Sequence, residues 1–289
     1  MSPVTARDIA AVVVLYRPER GASDNIASYI GQVDRVYAID NTETPDTAFA
    51  ASLARYETLE YVPLGDNLGI AAALNAGIER AKAAGYPWVL TLDQDSTPTE
   101  DMVTQLTTCA NERPATPPTG VIGAVMLRDL WPTPDPTRGC TDALTVITSG
   151  NLLSVDAWDA VGRFDESLFI DQVDHDLCMR LHRHGFAVVK NHAAWLKHNV
   201  GAPTVHGGSS RRRVSNHSPL RRYYIMRNKL IVIERYGRDY PEFRKREIRS
   251  ALRAVRGIVL YEDRKAAKLM MMWRGYRDYR RGITGPYQA

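Results

Sequence analysis

The chain has 289 residues, 44% apolar and 24% charged, with a net charge of +4. That length and balance support a full hydrophobic core and exclude a disordered or low-complexity chain. The charge is unevenly spread: residues 1–201 carry 15 Lys+Arg and 26 Asp+Glu, a net of −11, whereas residues 202–289 carry 22 and 7, a net of +15. Ile9–Tyr16 is apolar throughout and rich in β-branched side chains, the pattern of a central parallel strand buried on both faces. Arg17-Pro18-Glu19 ends it, because proline cannot continue a ladder. A helix is expected over Asp24–Ile30. A strand over Val33–Ile39 should stop at the polar loop Asp40-Asn41-Thr42. A helix over Thr47–Tyr56 and a strand over Leu59–Leu64 follow.

Asn67 is placed to cap the next helix, which runs to about Ala84 and stops at Gly85-Tyr86-Pro87. Gly69 allows close backbone approach, and Ala71, Ala72 and Ala73 allow the helix to lie tightly on a sheet. The apolar run Val89–Leu92 then reads as a short buried strand that ends in Asp93-Gln94-Asp95-Ser96. Side chains two apart on an extended chain point the same way. Two such carboxylates at a strand end repel each other and gain by sharing a hard divalent cation. Asp93–Thr97 equally has the composition of an ordinary turn.

Further on, helices are expected over Glu100–Asn111 and Val155–Val161, and strands over Val121–Met126 and Leu144–Thr148, the latter leading into Ser149-Gly150-Asn151. Leu130–Cys140, with three prolines, reads as an exposed loop. From Asp174 the spacing is helical up to Gly185, with carboxylates in the first turn, where the helix dipole favours anions. Strands over Phe186–Val189 and Ala194–Val200 follow, the second carrying Lys197-His198-Asn199. Ser218-Pro219 has the form of a helix start, opening a helix from Leu220 to about Tyr236. Another begins near Pro241. The stretch Lys265–Arg281 mixes Met270, Met271, Met272 and Trp273 with six basic residues, which suits a membrane-surface helix and a packed helix equally.

Strands and helices thus alternate up to about residue 112, the signature of an α/β fold with a mostly parallel sheet. The expected division is a catalytic α/β domain over 1–205 and a helical basic extension over 206–289. In such sheets ligands bind beyond the carboxyl ends of the strands. Tyr16, Asp40 and the Asp93/Asp95 pair all fall there. Cys109, Cys140 and Cys178 have no metal-site spacing, and three free thiols in a reducing compartment are the simplest expectation. No run of eighteen apolar residues and no secretion-signal pattern occurs at the start. A cytoplasmic protein, either free or peripheral to the inner face of the cell membrane, is expected.

In order, the first strand ending in Tyr16, the Asp40-Asn41 pair, Asn67-x-Gly69…Asn75-x-Gly77, Asp93-Gln94-Asp95, the Gly150 strand, Gly162-x-Phe164-Asp165, Asp174-x-Asp176 and His198 resemble the family-2 inverting glycosyltransferases. Leu92-Asp93-Gln94-Asp95-Ser96 and Arg221-x-Tyr223-Tyr224-x-x-Arg227-Asn228 look like the rhamnosyltransferase branch that builds bacterial surface polysaccharides. The resemblance implies a Rossmann-like glycosyltransferase A-type fold. It implies a nucleotide-sugar donor, dTDP-L-rhamnose, a glycan or lipid-linked acceptor, and Mg²⁺ or Mn²⁺. Tyr16, Asp40, Asn67 and Asp93 would then contact the nucleotide, with Arg221 and Arg227 on diphosphate. Asp95 and His198 would hold the metal. Asp174 would be the general base, with Asp171 and Asp176 as the other candidates; relatives often carry Glu-Asp where this chain has Val173-Asp174. Three alternatives remain: a UDP-sugar donor, a sugar nucleotidyltransferase, and a nucleic-acid-binding module suggested by the basic third. The motif set weighs against the last. Membrane-surface contact and self-association are both compatible with the C-terminal region.

Overall fold

The computed structural model describes residues 3–19, 21–127, 135–198, 204–206, 212–214 and 216–288, with the backbone alone at 198, 204–206 and 212–214. The chain forms two compact units. One comprises Met1–Glu166 with Val173–Asn199, the other Ser167–Gln172 with Val200–Ala289.

The first unit begins with strand β1 (Ile9–Leu15), helix α1 (Gly21–Ala27), β2 (Arg35–Asp40), α2 (Thr47–Leu53), β3 (Leu59–Pro63), α3 (Ile70–Ala83) and β4 (Trp88–Asp93). It continues through β5 (Ser96–Pro98), α4 (Met102–Glu112), β6 (Thr119–Leu127), β7 (Cys140–Asp142), β8 (Asn151–Ser154), α5 (Val155–Ala160), α6 (Val173–Arg183) and β9 (Ala187–His198). The sheet order is β3-β2-β1-β4-β8-β6-β9-β5, with β7 also on β9. β1 to β4 pair in parallel, β6 and β9 pair in parallel, and β5, β7 and β8 run the other way. The α/β fold with a mostly parallel sheet flanked by helices is the one the alternating pattern implied.

Every residue of β1 is buried. Ile9, Ala11, Val13 and Leu15 enter a core with Ile26, Phe49, Met102 and Leu106, whereas Val12 faces α3 on the opposite side. At Gly77 a β-carbon would lie 2.4 Å from Val12 Cγ1, so α3 reaches the sheet only because that position has no side chain. Asn75, two residues earlier, is a buried connector. Its amide nitrogen donates to Phe164 O at 3.0 Å and Glu166 Oε1 at 2.8 Å, and its oxygen accepts from Trp158 Nε1 and Phe164 N. Asn75-x-Gly77 is therefore a packing device.

A flat sheet in this order is impossible. Four strand spacings separate β4 from β5, about 19 Å at ~4.8 Å each. Only Gln94 and Asp95 connect them, a reach of about 11 Å over three Cα steps. The sheet must curl so that β5 and the end of β9 return towards the end of β4.

Several local expectations change. Gly69, with φ of 88°, is the N-cap residue of α3, and Asn67 sits two residues before it. Leu144–Thr148 is irregular and the strand begins after it, at Asn151, because φ of 81° at Gly150 turns the chain first. The two strands expected over 186–200 are one, β9, with shifts of register against β6. Cys109 and Cys140 form a disulfide, their Cα atoms 6.2 Å apart. Thirty-one positions of sequence hid this pair. Cys140 lies opposite Asn191 on β9, and Asn191 donates to Gln105 O of α4, the helix that carries Cys109. The bridge removes the thiol count as an argument about compartment. Cys178 is a buried thiol, and burial pushes its pKa up to about 12.

The second unit contains a short hairpin, β10 (Thr204–His206) with β11 (Arg212–Val214), and three helices: α7 (Pro219–Tyr236), α8 (Pro241–Tyr261) and α9 (Lys265–Arg280). Ser218 caps α7 by accepting from Arg221 N. Met271 and Met272 are buried, and Tyr223 donates to Asp278 at 2.9 Å, so α9 packs on α7. That settles the methionine stretch as a packed helix, with Met270 and Trp273 left on its outer side. Lys229 of α7 meets Glu247 of α8 at 2.7 Å in a buried pair. Glu262 receives both Arg222 and Lys268. Among the described residues no helix is long and apolar enough to cross a membrane.

The contact beneath α3 gives a stability test. Gly77→Ala should destabilise the protein by about 1–3 kcal/mol through overpacking against Val12, measured by urea unfolding. An unchanged midpoint would contradict the packing described.

Candidate active site

Parallel register brings the polar strand ends to one edge. Leu15 lies opposite Asp40, and Val14 lies opposite Asp93, so the ends of β2, β1 and β4 are level. The chain turns at Gln94-Asp95 instead of remaining extended. Strand alternation therefore does not set the two aspartates side by side; the turn does the placing. Asp93, Gln94 and Asp95 are all half-buried.

Gln94 is the residue that ties this edge together. Its side-chain oxygen accepts from Tyr16 N at 2.7 Å, and its side-chain nitrogen donates to Tyr16 O at 3.2 Å. Gln94 O accepts from Asn25 Nδ2 at 2.8 Å, and Asn25 Oδ1 accepts from Thr97 Oγ1 at 2.9 Å. On the other side, Asp93 N donates to Ser149 Oγ at 3.0 Å, and Ser149 Oγ lies 2.8 Å from Ser96 Oγ. The turn is thus held from β1, α1 and the segment before β8. In the sequence Gln94 reads as the spacer of a D-x-D pattern and nothing marks Ser149; either contact depends on the order of the strands.

Tyr16 is partly exposed at the edge. Its hydroxyl donates to Glu43 at 3.2 Å, and the Arg17 guanidinium lies 5.1 Å from the ring centre. Arg17 also meets Glu43 at 3.3 Å, an exposed pair. Glu43 titrates below the usual carboxylate range, first through a backbone hydrogen bond and then through Arg17 and Tyr16. Asp40 is fully buried. Its carboxylate accepts from Thr42 N at 3.0 Å and from Tyr61 Oη at 2.5 Å. Burial and the Asp40 charge both push the Tyr61 phenol upward, burial more. The Asn41 side chain accepts from Leu68 N at 2.9 Å and donates to Asn67 Oδ1, which also accepts from Gly69 N. Asn67 thus shapes the loop that delivers α3, linked to the Asp40-Asn41 strand end.

The carboxylates of α6 separate into different environments. Asp174, in the first turn, is half-buried, and its Oδ1 accepts from His175 N at 2.8 Å. Asp176 is fully buried and paired with Arg180 at 2.8 Å, which argues against its use as a base. Asp171 belongs to the second unit, where its carboxylate meets half-exposed Arg221 at 3.3 Å.

At the other end of the sheet, Ser96 lies directly opposite His198 in the antiparallel β5–β9 pair. Directly opposite residues in such pairs have Cα atoms about 4.5–5.5 Å apart. Asp95 immediately precedes Ser96, so the register brings Asp95 and His198 to adjacent positions. The His198 side chain lies outside the described residues. Among the described residues no three His, Cys, Asp or Glu side chains form a metal-holding group.

Arg227 is placed differently from the sequence expectation. It is fully buried, with its guanidinium donating to Asn228 Oδ1, Tyr223 Oη and Gly285 O, and lying 5.2 Å from the ring centres of Tyr223 and Tyr224. Asn228 Nδ2 donates to Leu168 O and Ile170 O, both at 2.6 Å, and Phe169 stacks on Tyr224. The Arg221-x-Tyr223-Tyr224-x-x-Arg227-Asn228 motif therefore clamps residues 167–172, where Phe169, Asp171 and Gln172 all have positive φ. Only Arg221 of the two arginines presents its side chain to solvent.

The family model for glycosyl transferase family 2 matches residues 11–135, the part of the chain that contains Tyr16, Asp40, Asn67, Asp93 and Asp95. The chain carries a glycosyl transferase family 2 domain. It is a glycosyltransferase, similar to the dTDP-rhamnosyl transferase RfbF of Shigella flexneri at 28% identity over 246 residues, 79% of this chain and 80% of that protein. Solved structures agree on the fold of this glycosyltransferase. Staphylococcus aureus TarS 1–349 matches with a TM-score of 0.54 and 14% identity, over 95% of this chain and 91% of that one. GalNAc-T7, crystallised with UDP, GalNAc and Mn²⁺, matches with a TM-score of 0.59 and 12% identity. The match covers 95% of this chain but 56% of that one, so the chain spans little more than half of its length.

Tyr61→Phe removes a hydrogen bond to a buried carboxylate. It should cost the glycosyltransferase about 1–3 kcal/mol in urea unfolding, and a loss under 0.5 kcal/mol would contradict the burial of Asp40.

Proposed function

We propose that the chain transfers L-rhamnose from dTDP-L-rhamnose to a hydroxyl of a bacterial surface glycan, lipid-linked during its assembly, with inversion at the anomeric carbon. The observation that carries this reading is the convergence of Tyr16, Asp40, Asp93 and Asp95 on one sheet edge, fastened by Gln94. The rhamnosyl donor is supported by the likeness to RfbF over most of both chains.

In this reading the Tyr16 ring lies against the nucleotide base, and Asp40 sets the polarity of the base pocket. Asn67 shapes the loop beside it, and Asp93 meets the ribose or the same metal ion as Asp95. The Asp95 carboxylate is a hard oxygen ligand suited to Mg²⁺ or Mn²⁺, and in this reading His198, whose main chain lies one register step away, would complete the site. The ion, when bound, neutralises charge on the departing diphosphate. Asp174 takes the proton of the acceptor hydroxyl as that oxygen attacks from the face opposite the leaving group. The His175 amide engages one Asp174 oxygen and so fixes the carboxylate at the start of α6. A proton acceptor and a leaving group on opposite faces give direct displacement, hence inversion. Arg221 is assigned to diphosphate, of the donor or of a lipid carrier, and Arg227 to holding its own unit together.

A UDP-sugar donor is the second reading, since thymine and uracil carry the same ring N–H and carbonyl oxygens. The family domain sets a nucleotidyltransferase aside.

Asp174→Asn should lower transfer from dTDP-rhamnose by at least about a hundredfold while dTDP affinity stays within about twofold. Asp95→Ala should remove the metal dependence of dTDP binding. Unchanged turnover in the first variant, or wild-type metal dependence in the second, would overturn the corresponding role. Turnover with UDP-sugars alone would discard rhamnose and keep the family.

A further inference from the structure

Helix α9, whose composition suits a membrane surface and a packed helix equally, is packed through Met271 and Met272, but α8 shows a different pattern. Its inner face is seated by Phe243, Glu247 and Ile258, all buried. On its outer side Ile248, Leu252 and Val259 are exposed, Leu252 by 65%, and Val255 is half-buried between them. Spacings of four, three and four residues place these four within about 60° of one face and along about 16 Å of helix. No element among the described residues covers this stripe, since three of its four side chains remain open to solvent.

The charges beside the stripe identify what suits it. Lys245, Arg249, Arg253 and Arg256 follow along one flank, and all are exposed. The one exposed carboxylate of the helix, Glu242, pairs with Lys245 at its first turn. The other, Glu247, is buried against Lys229. Among the described residues Arg249, Arg253 and Arg256 form no ion pair. A second copy of the chain would bring like charges together across a symmetric contact, and residues 202–289 carry a net charge of +15. A nucleic acid would match the cations and leave the aliphatic stripe unsatisfied. A sheet of anionic headgroups over acyl chains matches both, with side chains of the stripe entering the acyl boundary and the guanidinium groups among the headgroups.

We propose that the outer face of α8 docks this protein on an anionic lipid surface, with Ile248, Leu252, Val255 and Val259 as the inserted stripe. The proposal goes beyond the rhamnosyl-transfer reading and stands independently of it, because lipid binding requires neither donor nor acceptor.

The test is sedimentation of the full chain with phosphatidylglycerol–phosphatidylcholine vesicles and with phosphatidylcholine vesicles, over a range of NaCl concentrations. Binding to the anionic vesicles, weakened by salt, is expected. Leu252→Glu should lower the partition constant by on the order of tenfold. Arg253→Gln should lower it by about fivefold, consistent with ~1 kcal/mol for one cation near an anionic surface. Both positions are exposed, and circular dichroism with dTDP titration checks that each variant remains folded. Four results would overturn the proposal: no binding to anionic vesicles, equal binding to neutral ones, Leu252→Glu binding like the wild type, or Leu252→Glu dissociating a homo-oligomer in lipid-free solution.

Discussion

Two residues, Gln94 and Asp95, join a strand in the middle of the sheet to a strand at its far edge. That connection is too short for a flat sheet, so the sheet curls and its β5 edge returns towards the end of β4. The same two residues then have to be fixed. Gln94 does this with paired hydrogen bonds to the Tyr16 backbone, and Ser149 does it from the other side through Asp93 N. The register of β5 on β9 then sets Ser96, the residue after Asp95, opposite His198. A topological constraint therefore fixes where the two aspartates stand, because the turn that holds them cannot be elsewhere.

Much of the fold was legible because its signals are local. A continuous β-branched run such as Ile9–Leu15 has few uses besides a buried parallel strand, and Gly85-Tyr86-Pro87 can end a helix without tertiary help. What misled depends on contacts distant in sequence. Leu144–Thr148 has strand composition, yet the turn at Gly150 moves the ladder on to Asn151–Ser154. Cys109 and Cys140 meet only because β7 lies along β9 beside α4.

The site was legible as residue types and less so as roles. Asp40, Asp93 and Asp95 could be placed at strand ends from the sequence, since polar residues follow apolar runs there. The reason Asp40 is tolerated with no exposure is Tyr61, and nothing in the sequence joins those two residues. Asn75 and Gly77 look like part of a ligand motif and instead seat α3. Arg227 and Asn228 look like an anion grip, and most of their hydrogen-bonding capacity goes to main-chain oxygens and a tyrosine of their own unit. Motif membership alone cannot separate groups that meet a ligand from groups that shape the backbone around one; burial and hydrogen-bond partners can. The charge of the C-terminal third was visible from the sequence. Its use depends on which helix face stays open, and that favours α8 over the methionine-rich α9.

The central claim is that the edge built around Tyr16, Asp40 and the Gln94-Asp95 turn receives a thymidine diphosphate with the help of a divalent ion. Calorimetric titration of dTDP and of UDP into the wild-type chain, each with Mn²⁺ and with the ion chelated, tests it most directly. The account predicts binding that depends on Mn²⁺ and is tighter for dTDP than for UDP. Equal dTDP affinity with and without the ion, or no binding of either nucleotide, would contradict it.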